Sequence, residues 1–368
     1  MDIETKSKTL KRLPKFAIAF YISAGISLLL FFGFELSEPF ADFFNKYVAS
    51  VYRALMSALT DWIPFSLAEF FILMLPVIII IMVRYAVKYY ADTWRAVWIY
   101  CGTILSLLAV FFSMFTVGFA SAYRGSTIDK KLGIERVDVS AEELYDTALI
   151  LSDAVNAEVD KIAFIDGGFS IMPYSHKEMN DRLLEAYDKA YDKYSFLQRL
   201  DSSLKPVMLS GLMSYTHITG VYSFFTGEAN LNMAFPDYTL PYTAAHELAH
   251  QRGIAREDEA NFMAFLVCLE SEDAYIRYSG YLNLCEYVMI ALSHADYSLY
   301  IKAYETLATD VKEEMAAYSA FYEKYRDSVA SEVSNAVNNT FLVIQGTEGT
   351  KSYGMVVDLA VAYYKTKN

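Results

Sequence analysis

The chain has 368 residues, of which 55% are hydrophobic, and a formal net charge of −13. This apolar content is too high for an ordinary soluble protein, and the acidic balance argues against nucleic acid as a partner. The cysteines, Cys101, Cys268 and Cys285, are too few for a disulfide framework. We expect Cys268 and Cys285 to pack as small apolar side chains, with a bridge between them as the alternative.

Three apolar stretches, at 16–34, 65–83 and 97–119, are each long enough to cross a bilayer. The second carries Glu69 near one end, and the other two have no charged residue. A cleavable signal peptide is the alternative for the first stretch, but no small-residue cleavage site follows it. We therefore predict a membrane domain over 1–119 and a second domain over 120–368.

Charges that flank the predicted spans favour one orientation in a cell membrane. The basic flanks contain Lys6, Lys8, Lys11, Arg12 and Lys15 before the first span, and Arg84, Lys88 and Arg95 between the second and third. The loop between the first and second spans is acid-rich, with Glu35, Glu38, Asp42 and Asp61 against Lys46 and Arg53. This bias predicts a cytoplasmic N-terminus and an extracytoplasmic second domain.

Between the first two spans, apolar residues recur at helical spacing over about 40–62. They are Phe40, Phe43, Phe44, Tyr47, Val48, Val51, Leu55 and Leu59. The pattern predicts an amphipathic helix that lies on the outer leaflet or packs on the second domain.

The second domain is predicted to be α+β and mainly α. Capping boxes at Ser140 and Ser175 open helices that reach about 161 and 197. Short strands are predicted at 207–209, 221–225 and 229–233, with turns at Gly220 and Gly227. Later helical patterns cover roughly 274–293, 297–322, 327–340 and 355–365.

The most informative segment is His246-Glu247-Leu248-Ala249-His250, an HExxH sequence. On a helix its two imidazoles lie on one face, where they can bind Zn²⁺, and Glu247 can act as general base on a water held by the metal. Pro241 suits the first turn of this helix, and Gly253 suits its end.

A catalytic zinc site needs a third protein ligand and leaves one position open. We predict Glu257 for this role, because it opens the next helix and shares a face with Asn261, a candidate hydrogen-bond partner of a ligand. Glu259 is the alternative ligand.

Residues for substrate binding are less well specified. The segment 225–230 precedes the HExxH helix, and we expect Thr226, Gly227, Glu228 and Asn230 to line a cleft that binds extended peptide by strand addition. Candidate donors to an oxyanion are Tyr278, Tyr281, His294 and His217.

Two resemblances follow from these residues. The runs 225–230, 246–253 and 257–262, together with the three spans, resemble bacterial membrane proteins grouped as domain of unknown function 3810. More distantly, HExxH followed by Glu-x-x-Ala-Asn is similar to zincin metallopeptidases of the gluzincin type, which implies Zn²⁺ on His246, His250 and Glu257. The interval from His250 to Glu257 is shorter than in gluzincins, and Arg256 stands where metzincins have their third ligand.

The sequence thus predicts a membrane-anchored zinc metallopeptidase that hydrolyses a peptide or protein substrate. The alternative is a sensor or scaffold whose zinc stabilises the domain without turnover.

Overall fold

The structure is a computed structural model that describes residues 12–89, 93–165 and 168–367. It is 73% helical with a small three-stranded sheet. This confirms the predicted mainly α class. Lys6, Lys8 and Lys11 lie outside the described residues.

Three helices in the N-terminal third are long and apolar enough to cross a membrane. The elements of this part are α1 (Lys15–Leu36), α2 (Glu38–Phe44), α3 (Ser50–Thr60), α4 (Leu67–Tyr89), α5 (Trp94–Phe115) and α6 (Ser121–Arg124), with π-helical turns at Asn45–Ala49 and Thr116–Ala120. The candidate spans are α1, α4 and the continuous helix Trp94–Arg124. The three predicted spans are therefore confirmed as candidates.

The spans expose most of their large apolar side chains, which a bilayer would cover. Helices α1 and α5 pack together, with the Tyr21 hydroxyl donating to the Gly102 carbonyl at 2.6 Å and Ser23 Oγ lying 2.9 Å from Ser113 Oγ. Such hydrogen bonds satisfy polar groups within apolar surroundings.

The rest of the described chain is mainly helical and contains one sheet. Its helices are α7 (Ile128–Leu132), α8 (Ala141–Val159), α9 (His176–Lys193), α10 (Ser210–Met213), α11 (Thr239–Gln251), α12 (Glu257–Glu270), α13 (Ala274–Ala295), α14 (Tyr297–Thr306), α15 (Thr309–Glu323), α16 (Val329–Ile344) and α17 (Val356–Lys365). Segments of 3₁₀ helix occur at Ser214–Thr216 and Gly349–Met355. Both predicted capping boxes are present, at Ser140 and Ser175.

The sheet has the order β1-β3-β2, from β1 (Lys205–Pro206), β2 (Gly220–Ser223) and β3 (Glu228–Leu231). Strand β3 pairs parallel with β1 and antiparallel with β2, and it packs on α11. Two predictions were wrong here. The first strand lies before 207–209, and Gly220 begins a strand instead of forming a turn.

The pattern over 297–322 predicted one helix, but two helices, α14 and α15, occupy it. Asn156 of α8 explains the break, because its amide donates to the Thr306 carbonyl at 2.8 Å and its Oδ1 accepts from the Ala308 amide at 2.8 Å. A distant side chain here replaces hydrogen bonds within the helix.

Packing continues across the predicted domain boundary at 119/120. A cluster of buried side chains joins Phe34 of α1 and Phe119 of the π-helical turn to Ala255, which lies between α11 and α12. The end of the membrane helices therefore rests directly against the loop that follows the HExxH segment.

Candidate metal centre

Helix α11 holds the HExxH residues, and all of its side chains are buried. His246 and His250 lie one turn apart with ring centroids separated by 4.6 Å. The helix ends at Gln251, and Gly253 follows in the left-handed region, with φ of +87°. The two imidazoles therefore share a face, as the spacing predicted.

Glu257, in the first turn of α12, completes a group of three potential metal ligands. Its Oε2 lies 3.2 Å from His246 Nε2 and 3.4 Å from His250 Nε2. Two ligand atoms bound tetrahedrally to one zinc ion are about 3.3 Å apart, given bonds of about 2.0–2.1 Å. The spacing of these three ligand atoms therefore suits a single metal ion.

Glu259, the alternative ligand, has other partners. Its Oε1 accepts from the Ile128 amide at 3.1 Å and from Arg256 Nη1 at 3.0 Å. It is not in the group formed by His246, His250 and Glu257. This favours Glu257 as the third ligand.

Hydrogen bonds to the outer ring nitrogens orient both imidazoles. His246 Nδ1 lies 2.8 Å from Asn261 Oδ1, and His250 Nδ1 lies 2.7 Å from the Ile254 carbonyl. Oxygen acceptors at these positions favour a proton on Nδ1 and leave Nε2 free to bind a metal. Asn261 is itself held by the Tyr353 carbonyl, which accepts from its amide at 3.1 Å. Asn261 therefore has the contact predicted for it.

Glu247 lies beside this group and faces strand β2. Its side chain is 4% exposed. One oxygen, Oε2, is buried without a hydrogen-bond partner among the described residues. A Cβ at Gly220 would lie 2.6 Å from Glu247 Oε1. Because glycine has no side chain, position 220 leaves room for the Glu247 carboxylate.

His246, His250, Glu247 and Glu257 are close enough for the charge of each to shift the pKa of its neighbours. Burial alone would lower the pKa of His250, but the charge and hydrogen bond of Glu257 outweigh it and raise this pKa to about 9. Burial would raise the pKa of Glu257, and the two imidazoles hold it well below its usual range. For Glu247, burial prevails and raises the pKa. The carboxylates create a negative potential that suits a cation.

Aromatic side chains from distant parts of the chain enclose the group. Phe119 packs edge-on to the His250 ring with centroids 6.0 Å apart. Tyr353 stacks on the His246 ring at 6.5 Å, and its hydroxyl accepts from Asn338 of α16 at 3.3 Å. The sequence analysis missed both residues, because nothing in the local sequence distinguishes them from the other 24 phenylalanines and 29 tyrosines of the chain.

The candidate oxyanion donors lie elsewhere. Tyr278 donates to Glu314 Oε2 at 2.5 Å, and Tyr281 packs on Phe265. His217 Nε2 lies 2.7 Å from the Tyr325 carbonyl, and His294 is exposed near the end of α13. None of these four contacts the metal-binding group among the contacts described here.

The four residues expected to line a cleft are buried, three of them in contacts between the sheet and the membrane part. The Thr226 carbonyl accepts from the Thr60 hydroxyl at 3.0 Å. Gly227, with φ of +72°, packs on α3. The carboxylate of Glu228 accepts from the amides of Leu67 and Ala68, both at 3.0 Å, at the start of α4.

Asn230, the last of the four, donates from its amide to the Val221 carbonyl at 3.0 Å within the sheet.

The cysteines are all free, and Cys268 and Cys285 are buried among apolar side chains, as expected. The alternative of a bridge between them is therefore not observed.

Comparison with curated proteins and with solved structures gives no match for this chain. The model of a family described as protein of unknown function (DUF3810) matches residues 44–361, across both the membrane part and the metal centre. The chain therefore belongs to the DUF3810 family.

Proposed function

We propose that this protein is a membrane-anchored zinc metallopeptidase, with His246, His250 and Glu257 as metal ligands and Glu247 as general base. The observation that carries the proposal is the position of Glu247, whose unpartnered oxygen is buried beside three converging ligand atoms. A purely structural zinc site needs no such carboxylate and is usually closed by four protein ligands. The described residues offer three.

When bound, Zn²⁺ would supply Lewis-acid chemistry that polarises a peptide carbonyl and acidifies a water molecule. Glu247 would then accept the proton of the attacking water at Oε2 and donate it to the leaving amine nitrogen. Burial favours the second step, because it raises the pKa of the Glu247 carboxyl and so makes its protonated form accessible.

Substrate binding is best assigned to the edge of β2. This strand lies at the end of the order β1-β3-β2, so one side of it has no partner strand among the residues that the structure describes. Gly220 and Tyr222 of β2 both lie against Glu247, the latter through its backbone amide. An extended peptide paired with this edge would pass close to the carboxylate. Tyr353, stacked on His246, is the proposed source of a hydroxyl donor to the oxyanion.

The bias of basic residues toward the N-terminus and the α4–α5 loop supports a cytoplasmic N-terminus in a cell membrane. With three spans, the metal centre would then lie on the extracytoplasmic side. The substrate would be a peptide or an unfolded protein segment at that membrane face.

A second candidate is a zinc-stabilised sensor or scaffold without turnover. The burial of the centre favours it, since His246, His250 and Glu257 are each less than a tenth exposed. A catalytic role requires that substrate reach these side chains.

Two measurements on the purified full chain distinguish these candidates. One is its zinc content, and the other is its hydrolysis of a library of peptides that carry a fluorophore and a quencher. We expect Glu247→Gln to keep about one zinc per chain and to lose turnover by about 10²-fold or more. Glu272→Gln, on an exposed side chain, is the matched control. A zinc-loaded wild type without cleavage would favour the scaffold, and unchanged turnover in Glu247→Gln would exclude the proposed mechanism.

A further inference from the structure

The connector between α1 and α4 is an amphipathic helix that turns its apolar face outward. It consists of α2, the π-helical turn Asn45–Ala49 and α3. One stripe of large apolar side chains runs along the connector and into the turn that follows α3, and each is more than half exposed: Phe43, Tyr47, Val51, Leu55, Leu59 and, in that turn, Trp62. A helix on the surface of a soluble protein has the opposite arrangement.

The polar face of the connector is buried against the domain that holds the metal centre. Arg53 is 1% exposed, and its Nε donates to Gln198 Oε1 in that domain at 3.2 Å. The same guanidinium donates to the Gly118 carbonyl at 3.0 Å and to Asn45 Oδ1 at 2.8 Å, both in the membrane part. Farther along, Gln251 donates to Ser57 Oγ at 3.4 Å. The polar side chains of the connector thus form hydrogen bonds inside the protein. These bonds hold the helix in one orientation, and in that orientation its apolar side is exposed.

Several observations identify the partner of the stripe. The connector joins two candidate spans directly, since α1 ends at Leu36 and α4 begins at Leu67. Leu36, next to the connector, is 86% exposed, so apolar surface continues from α1 to the stripe. Tyr47 and Trp62 belong to the residue types that favour the boundary between lipid headgroups and acyl chains. This continuity with the surface of the spans favours lipid over a protein partner.

We propose that the connector lies in the membrane interface, with the stripe inserted among lipid acyl chains and the polar face under the metal centre. The same helix contacts the end of the HExxH segment. Asn45 donates to the Gly253 carbonyl at 3.1 Å, and a Cβ at Gly253 would lie 2.5 Å from Arg53 Nη2. Lipid and metal centre are thus separated by one helix, and the centre is fixed at the membrane surface. This inference is independent of whether the centre is catalytic.

The test measures quenching of tryptophan emission by phosphatidylcholine with brominated acyl chains, using the full chain in vesicles. Trp94→Phe and Trp98→Phe leave Trp62 as the single native probe. With Trp62→Phe added, Val51→Trp or Leu55→Trp reports on the stripe and Ile80→Trp reports on α4. Tyr297→Trp, at an exposed aromatic position of α14, is the control outside the membrane.

We expect the probes at 51, 55 and 62 to lose emission in brominated lipid to nearly the same extent as the probe at 80, and the probe at 297 to lose none. The proposal would be overturned if the stripe probes lost no more emission in brominated lipid than the control probe at position 297. Emission at the stripe that instead changes with protein density would overturn it in favour of a second copy of the chain. The native Trp62 probe keeps the test valid if a stripe substitution prevents folding.

Discussion

Gly220 and Glu247 are matched to each other across the gap between β2 and α11. A Cβ at Gly220 would lie 2.6 Å from both Cγ and Oε1 of Glu247. Real Cβ atoms do not approach other atoms so closely, so one of the two must move in any larger variant. The carboxylate of Glu247 lies at the end of a flexible side chain, whereas the backbone of Gly220 is held in the sheet by its pairing with Leu231. The carboxylate is therefore the group that would move.

We expect Gly220→Ala to leave the fold and zinc content unchanged and to reduce peptide hydrolysis. A displacement of a catalytic group by about 1 Å can cost about 10²-fold in rate. Turnover, zinc content and melting temperature are measured on the same preparation. Gly211→Ala is the matched control, because nothing lies within 4 Å of its Cβ position. Full activity in Gly220→Ala would show that the position of Glu247 is unimportant.

The two neighbouring acids of α12 should respond differently to neutralisation. Glu257→Gln removes a ligand oxygen charge, so we expect it to lose zinc at concentrations that saturate the wild type. Glu259→Gln should retain zinc but lower the melting temperature, since it leaves Arg256 with a weaker partner. Metal content by mass spectrometry and thermal unfolding are the measurements. Zinc loss in Glu259→Gln alone would reverse the ligand assignment.

Local spacing explains why the metal-binding group could be predicted. His246 and His250 lie on one helix, and Glu257 begins the next helix after a short turn, so helix geometry alone brings them close. The enclosing side chains could not be predicted in this way. Phe119 and Tyr353 reach the group from parts of the chain more than 100 residues apart, through packing that leaves no periodic signal.

The connector shows a similar limit. Its apolar spacing predicted the helix, but left open whether the apolar face would lie on the outer leaflet or pack on the second domain. Arg53 was counted among the charges of a loop, yet it is almost fully buried and bonded to Gly118 and Asn45. Which face of an amphipathic helix packs on the protein depends on whether water or lipid surrounds it, and a sequence pattern does not state this.

Asn261 should tune zinc binding without touching the metal. We expect Asn261→Ala to weaken zinc affinity by about 10- to 100-fold, because His246 loses the acceptor that orients its ring. Asn261→Asp keeps an oxygen acceptor and should retain most of the affinity. Competition with a zinc chelator measures the difference. Asn335→Ala, at an exposed position of α16, is the control. Equal affinity in Asn261→Ala and the wild type would remove Asn261 from the centre.

Glu286 of α13 predicts how stability depends on pH. Burial raises its pKa to about 8, assisted by the negative charge of Glu314 and opposed by a hydrogen bond from the Tyr238 hydroxyl at 3.2 Å. The other titratable groups that sense its charge are Tyr278, Cys285, Tyr287 and Tyr318. The folded state thus favours the neutral carboxyl, whereas in the unfolded chain this carboxyl ionises near its ordinary pKa of 4.5.

Stability from this group is therefore complete below about pH 4.5 and is lost as the pH rises toward 8, by up to roughly 5 kcal/mol. Glu286→Gln stays neutral throughout, so we expect it to melt at a higher temperature than the wild type at pH 9 and at a similar temperature at pH 5. Thermal unfolding in detergent across this range is the measurement, and Glu272→Gln, whose carboxylate is exposed, should follow the wild type. If Glu286→Gln loses the same stability between pH 5 and 9 as the wild type, the ionisation of Glu286 does not govern that loss.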